Sequence, residues 1–227
     1  MQFLQQIIQA GLHLIEIILH LDVFLNQWVT DFGAGIYGIL FVIIFSETGL
    51  IILPFLPGDS LLFALGALTV VDNAYLRMDF LAVLLIFAAI AGDAVNYFIG
   101  RQIGLKLFQN PNSKIFRRQY LDRTSQFYEK HGGKTIILAR FIPIIRTFAP
   151  FVAGLGRMNY SRFFVFNVVG GATWISLFLL AGKIFGNLPS VKRNFHIVIV
   201  AIILISCIPV VIEYWKLKRE RLLPLSE

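Results

Sequence analysis

Residues 135–156 read Thr135-Ile-Ile-Leu-Ala-Arg140-Phe-Ile-Pro143-Ile-Ile-Arg146-Thr-Phe-Ala-Pro150-Phe-Val-Ala-Gly154-Leu-Gly156. The stretch is apolar enough for a bilayer, yet two arginines and two prolines interrupt it. An arginine at the centre of a membrane helix costs roughly 2.5–3.5 kcal/mol on insertion scales. An interior proline removes a helix hydrogen bond and clashes with the preceding turn. Broken backbone at that depth is tolerated only where it is buried in protein or lines water. A segment that enters the membrane, breaks and returns to the same face meets these constraints better than a straight crossing.

Charge on either side of the stretch points the same way. No Lys or Arg precedes Arg77, and all 20 basic residues lie from there onward. Residues 101–134 carry eight of them against two acids, and Lys216, Lys218, Arg219 and Arg221 mark the tail. Both regions are expected on the cytoplasmic side. Between them lie three apolar stretches, 135–156, 163–186 and 195–215. Three crossings would put the tail on the wrong side, so 135–156 is predicted to be re-entrant. Residues 80–100 form a span from an outer turn, 72–79, into the basic loop. By the same reasoning 54–71 is predicted to be re-entrant from outside, after a crossing over 36–53, which leaves both termini cytoplasmic.

Composition excludes a soluble enzyme. Of 227 residues, 57% are hydrophobic and 15% charged, where soluble domains average about 25% charged. Mean hydropathy is +0.76, and 22 phenylalanines add apolar bulk. A net charge of +7 would suggest nucleic acid in a soluble chain; here positive-inside topology explains it, and no nucleic-acid partner is expected. The lone Cys207 lies in an apolar run and allows neither an internal disulfide nor a multi-cysteine metal site. No metal or cofactor motif appears, and no basic n-region or cleavage site marks a signal peptide.

The predicted fold is an all-α single membrane domain over 1–227. Residues 1–33 form an amphipathic N-terminal region, with Gln2, Gln5, Gln6, Gln9, His13, Glu16 and His20 on one stripe of a helix. A first half, 36–104, holds the re-entrant 54–71, and a basic loop covers 105–134. A second half, 135–186, opens with the re-entrant 135–156. A last transmembrane helix over 195–215 and a basic tail over 216–227 follow. Phe55-Leu-Pro57 resembles Phe141-Ile-Pro143, and Ala64-Leu-Gly66 resembles Val152-Ala-Gly154. Gly100-Arg-Gln-Ile-Gly104 resembles Gly182-Lys-Ile-Phe-Gly186. Two opposed re-entrant hairpins in an inverted repeat, meeting near the midplane, are the predicted architecture.

Ionisable groups at bilayer depth are Glu47, Asp59, Asp93, Arg140 and Arg146, with Asn96 beside them. Such groups face the protein interior or a wet cavity, and usually pair. Three acids face two arginines, so one carboxylate is left over, a physical route to proton coupling. Arg140 and Arg146 are six residues apart and would diverge on one straight helix. A break at Pro143 can turn both toward one cavity, where two guanidiniums and free backbone N–H groups suit a phosphate. Pro54, Pro57, Gly58, Pro143, Pro150 and Gly154 are the predicted hairpin-forming residues. Plainer roles compete: Asp59 can cap a half-helix beginning at Ser60, Asp93 can serve only as an ion-pair partner, and either arginine can snorkel.

Glu47-Thr-Gly, Phe55-Leu-Pro-Gly-Asp-Ser60, Gly92-Asp-Ala-Val-Asn-Tyr97 and the run from Arg140 to Gly154 resemble the bacterial DedA family. The resemblance covers roughly 20–215. It implies an inner-membrane protein of a wider group that includes lipid scramblases. It also implies a link to recycling undecaprenyl phosphate with the proton motive force, and to drug resistance and cell division. By the same resemblance Glu47 and Asp59 are the essential acids and Arg140 and Arg146 the essential arginines. The expected function is a carrier of a lipid phosphate, with Arg140 and Arg146 holding phosphate, Glu47 and Asp59 handling protons, and Asp93 and Asn96 in support. The expected partners are that lipid, protons and membrane lipids, with a homo-oligomer left open. A proton-coupled antiporter of small cations or drugs, and a non-transporting envelope factor, are the alternatives; an enzyme is not expected.

Overall fold

The computed structural model describes residues 21–50, 58–70, 76–107, 132–205 and 208. Among these, the regular elements are helical. They are α1 (Leu21–Phe32), α2 (Ile36–Gly49), α3 (Gly58–Leu68), α4 (Met78–Leu107), α5 (132–139), α6 (Pro143–Leu155), α7 (Tyr160–Phe185), α8 (Pro189–Arg193) and α9 (Phe195–Ile205). Three helical stretches are long and apolar enough to cross a membrane: Val23–Gly49, Met78–Ile103 and Tyr160–Phe185. Pro54, Pro57, Cys207, residues 1–20, most of the basic loop and nearly all of 206–227 lie outside the described residues.

Burial is inverted relative to a water-soluble protein. Val83 is 69% exposed and Leu138 64%, whereas Glu47 is 1% exposed, Arg140 3% and Arg146 6%. An apolar exterior around an ionic interior is what hydrocarbon as solvent selects.

The turns follow from local chemistry. α1 passes into α2 through one 3-10 turn, Gly33–Gly35, in which Gly33 has φ 51°, a conformation costly for any residue with a Cβ. α5 ends in three tightened hydrogen bonds, from the N–H groups of Arg140, Phe141 and Ile142 to the carbonyls of Ile137, Leu138 and Ala139. Ile142 is extended, the conformation a following proline enforces, and Pro143 then opens α6 at a position where its missing N–H costs nothing. The chain therefore changes direction between Arg140 and Arg146. α7 starts on Asn159, whose side-chain oxygen accepts from the Arg162 N–H at 3.2 Å.

The two long helices α4 and α7 run antiparallel, with Asn167 donating to the Ile90 carbonyl at 3.1 Å and Tyr97 stacked on Phe163 at 4.6 Å. The shorter helices lie along halves of them. α2 follows the first half of α4 in the same direction. The Arg77 N–H donates to the Tyr37 hydroxyl at 2.8 Å, Tyr37 packs edge-on to Phe80, and a Cβ on Gly49 would sit 3.2 Å from the Gly92 Cα. α3 follows the second half of α7, from Trp174 beside Asp59 to Asn187, which donates to the Ala67 carbonyl at 3.0 Å. α5 follows the first half of α7, with Gly133 against Phe166 and Ile137 against Gly170. α6 follows the second half of α4, from Asn96, which donates to the Thr147 carbonyl at 2.7 Å, to Gly154 against Tyr97 and Arg101.

Residues 36–53, predicted as a crossing, are described in part, within the stretch Val23–Gly49 that is long and apolar enough to cross. Their described part, Ile36–Gly49, reaches only to Gly92, level with the middle of α4, because Gly49 and Gly92 let the backbones close there. The matched motifs occupy matched contacts. A Cβ on Gly66 would collide with the Leu179 carbonyl of α7, and one on Gly154 with the Tyr97 carbonyl of α4. Conversely, Gly182 accommodates the Phe63 carbonyl, and Gly100 the Phe151 carbonyl.

Candidate functional site

The inner ends of α2, α3, α5 and α6 meet beside the middles of α4 and α7, and the five ionisable residues predicted at bilayer depth, Glu47, Asp59, Asp93, Arg140 and Arg146, are found there. Arg146, in the first turn of α6, bridges two carboxylates. Its Nη1 donates to Asp59 Oδ1 at 2.7 Å and its Nη2 to Glu47 Oε1. Glu47 Oε1 also accepts from the Gly58 N–H at 3.1 Å, which ties the end of α2 to the start of α3. A Cβ on residue 58 would overlap Glu47 Oε2, so a larger residue there would displace that carboxylate. Asp59 Oδ1 accepts in addition from the Trp174 indole N–H at 2.9 Å. Asp59 thus serves as a partner of Arg146 and Trp174.

Arg140, at the end of α5, donates through Nη2 to Asp93 Oδ2 and to Asn167 Oδ1. Gly170 and Gly171 leave α7 bare where the Arg140 side chain passes. Asn96 donates to the Thr48 carbonyl at 3.1 Å as well as to Thr147, and so joins the tip of α2 to the start of α6. Pro150 lacks the N–H that would otherwise bond to the Arg146 carbonyl.

Both guanidiniums face one indole. The Trp174 ring centroid lies 4.9 Å from Arg146 Cζ and 6.0 Å from Arg140 Cζ, within cation–π range. Trp174 is fully buried. Among the described residues, Glu47 Oε2, Ser60 Oγ, Asn96 Oδ1 and Arg140 Nε are buried without a hydrogen-bond partner. With every group ionised, three carboxylates and two guanidiniums leave one net negative charge. No group of three or more metal-ligating side chains occurs among the described residues.

The structure brings together Glu47, Asp59, Asp93, Asn96, Arg140 and Arg146, and it places Gly58, Pro143 and Pro150 where they shape the cluster. Gly154 lies away from it, at the far end of α6, where it packs against α4. Trp174, Asn167 and Ser60 are members that sequence reasoning missed. Asn167 carried a signal, as an amide within the apolar run 163–186. A tryptophan or a serine in such a run does not stand out.

Helices of membrane-spanning length around a buried ionic cluster define a polytopic helical membrane protein. The VTT domain family model matches residues 56–184. The chain is 58% identical over 206 residues to Protein DedA of Escherichia coli (strain K12), covering 91% of this chain and 94% of that protein. It is 40% identical over 190 residues to an uncharacterized membrane protein of Mycobacterium tuberculosis (strain ATCC 25618 / H37Rv), covering 84% of this chain and 83% of that one. It is 36% identical over 155 residues to Inner membrane protein YqjA of Escherichia coli (strain K12), covering 68% and 69%. No solved structure matches. The chain belongs to the DedA family of VTT-domain membrane proteins.

Proposed function

We propose that this protein carries a lipid phosphate, undecaprenyl phosphate in a bacterial inner membrane, between leaflets in exchange with protons. The observation that carries the reading is the Arg146 site. One buried guanidinium is shared by two carboxylates from separate helices, and Glu47 Oε2 is left without a partner. A proton on Glu47 or Asp59 removes the excess negative charge and releases part of Arg146 from its pairs. A phosphate oxygen can then take the vacated donors, since a guanidinium fork matches phosphate as it matches carboxylate. Proton uptake and phosphate binding are thereby linked at one residue. Arg140 adds a second positive charge across the Trp174 ring, while the prenyl chain stays in lipid.

The same proposal gives the short helices their meaning. α2 with α3, and α5 with α6, are read as two re-entrant hairpins entering from opposite faces, and the reciprocal glycine contacts support an inverted repeat. Single cysteines in a Cys207→Ser background test this. Ala34→Cys and Val70→Cys are expected to label from one face, and Lys134→Cys and Arg157→Cys from the other. Labelling of Ala34→Cys and Val70→Cys from opposite faces overturns the first hairpin.

The functional test is transfer of labelled undecaprenyl phosphate in proteoliposomes. Wild type is expected to move it faster with an imposed proton gradient, and Arg146→Ala to fall to the protein-free rate. A rate unchanged by Arg146→Ala, or wild type no faster than empty vesicles, ends the reading. The surplus of acids over arginines favours one second reading, a proton-coupled cation antiporter. That reading predicts collapse of an imposed pH gradient on adding a cation with no lipid phosphate present.

A further inference from the structure

At the outer end of α6, away from the ionic cluster, lies a cavity of about 440 Å³ lined by Arg101, Arg157, Met158, Asn159, Tyr160, Ser161 and Arg162. We propose that this cavity binds the headgroup of a phosphomonoester lipid, with Arg101, Arg157 and Arg162 gathered around the phosphate.

Depth places the cavity at headgroup level. The membrane-spanning stretches Met78–Ile103 and Tyr160–Phe185 end and begin at its walls. Eleven residues separate Arg146 from Arg157 along α6 and its C-terminal turn. At 1.5 Å per residue that is about 16 Å, or half of a hydrocarbon core of roughly 30 Å. Beneath the cavity Tyr97, Phe98, Tyr160, Phe163 and Phe164 form a continuous ring cluster, with centroid spacings from 4.6 to 6.2 Å. Aromatic side chains collect at that level of a membrane. The cavity therefore lies at the headgroup level of its own leaflet, and by the positive-inside rule that leaflet is the cytoplasmic one.

Chemistry selects the occupant. Three exposed arginines, the Ser161 hydroxyl and the first turn of α7, which contains no acidic residue, converge on one concave space. Three guanidiniums suit a doubly charged phosphomonoester better than a singly charged diester. Arg157 adds a separate indication, since it is the non-glycine residue with positive φ, 56°, among the described residues. Holding an arginine there costs of order 1–3 kcal/mol, and strain of this kind tends to persist at ligand clamps. The site's role rests on the carrier reading: a lipid phosphate held here waits at the end of the helix whose other end carries Arg146.

Binding can be read without transport, so failure of this site and failure of the carrier reading are separable. The full-length protein in detergent is titrated with dioleoyl phosphatidic acid, dioleoyl phosphatidylglycerol or inorganic phosphate, following the thermal transition and lipid adducts by native mass spectrometry. Phosphatidic acid is expected to bind at least tenfold more tightly than phosphatidylglycerol. Arg157→Gly and Arg162→Gln are each expected to weaken it by about tenfold, roughly the worth of one charge-assisted contact. Arg157→Gly relieves the left-handed strain, so its transition without lipid is expected at or above that of wild type. Lys192→Gln and Arg193→Gln, at the other end of the molecule, are expected to bind as wild type does. Pocket variants that bind as wild type, or opposite-end variants weakened as much as they are, overturn the proposal. So does inorganic phosphate matching phosphatidic acid, which would mark a site for a soluble anion.

Discussion

Arg140 and Arg146 are both buried and share one tryptophan face, but their surroundings differ in charge and in anchorage. Arg140 meets one carboxylate, Asp93, and one amide, Asn167, which is itself tied to the Ile90 carbonyl. Its partners stand on α4 and α7, the two long helices, and the pair is electrically balanced. Arg146 meets two carboxylates on α2 and α3, short helices joined to each other at the Glu47–Gly58 contact. That site carries excess negative charge. A balanced pair anchored to the long helices has the character of a framework link. An unbalanced site between the ends of short helices can change partners with one proton. On the carrier reading, a division of labour between two arginines in one motif would follow from the identities of their neighbours.

The largest expected effect separates the two by truncation. Breaking a buried ion pair by removing one partner costs about 3–5 kcal/mol. Arg146→Ala is expected to fall at the upper end or beyond, because it strands two carboxylates, and to abolish lipid-phosphate transfer. Arg140→Ala strands one and is expected to cost less. Unfolding midpoints in mild detergent measure the order, and a greater loss in Arg140→Ala would reverse the assignment. Neutralising the acids is the sharper variant of the same contrast. Glu47→Gln keeps an acceptor for Gly58, leaves Asp59 on Arg146 and brings the cluster to zero net charge. It is expected to preserve stability while transfer loses its dependence on the proton gradient. Asp93→Asn leaves Arg140 without a counter-charge and is expected to lose about 1.5–3 kcal/mol, the range for a hydrogen bond to a charged group. Equal losses in the two variants would show that the sites do not differ in charge balance.

Much of the site was legible because polar residues in apolar runs have few structural excuses. Glu47, Asp59, Asp93, Asn96, Arg140 and Arg146 each stand out against phenylalanine and isoleucine, and the insertion cost makes each a candidate. The break at Pro143 was legible for the same reason. Which acid meets which arginine was not: Asp59 and Glu47 lie 87 and 99 residues from Arg146 in sequence, and it is the packing of α2 and α6 on α4 and of α3 on α7 that brings them near. The course of α2 was not legible, because a uniformly apolar helix of 14 residues has a composition that suits a crossing or half of one. The fit of Gly49 to Gly92, which bears on the question, is a tertiary contact that the one-dimensional pattern does not encode. Glycine spacing carried more than it first showed. Gly66 and Gly154 were noted as a repeat, and the structure gives each the same task, admitting a carbonyl of a long helix. Gly66→Ala and Gly154→Ala are accordingly expected to cost similar amounts, about 1–3 kcal/mol each by overpacking. Unequal losses in thermal denaturation would argue against equivalent halves.

The smallest effect expected concerns Trp174, which touches both sites and so bears on whether they act separately. Its indole N–H donates to Asp59, on the Arg146 side, while its ring faces both guanidiniums. Trp174→Phe keeps an aromatic face but removes that donor, so Asp59 Oδ1 loses one neutral hydrogen bond and retains Arg146. The stability cost is expected to be about 1 kcal/mol or less, in keeping with single hydrogen bonds between membrane helices. The functional consequence follows the hydrogen bond. Trp174→Phe loosens Asp59 beside Arg146 and is expected to slow lipid-phosphate transfer, while Arg140→Lys, on the balanced side, keeps its charge and is expected to slow it less. Equal slowing in both variants would mean that the shared indole couples the two arginines into one unit.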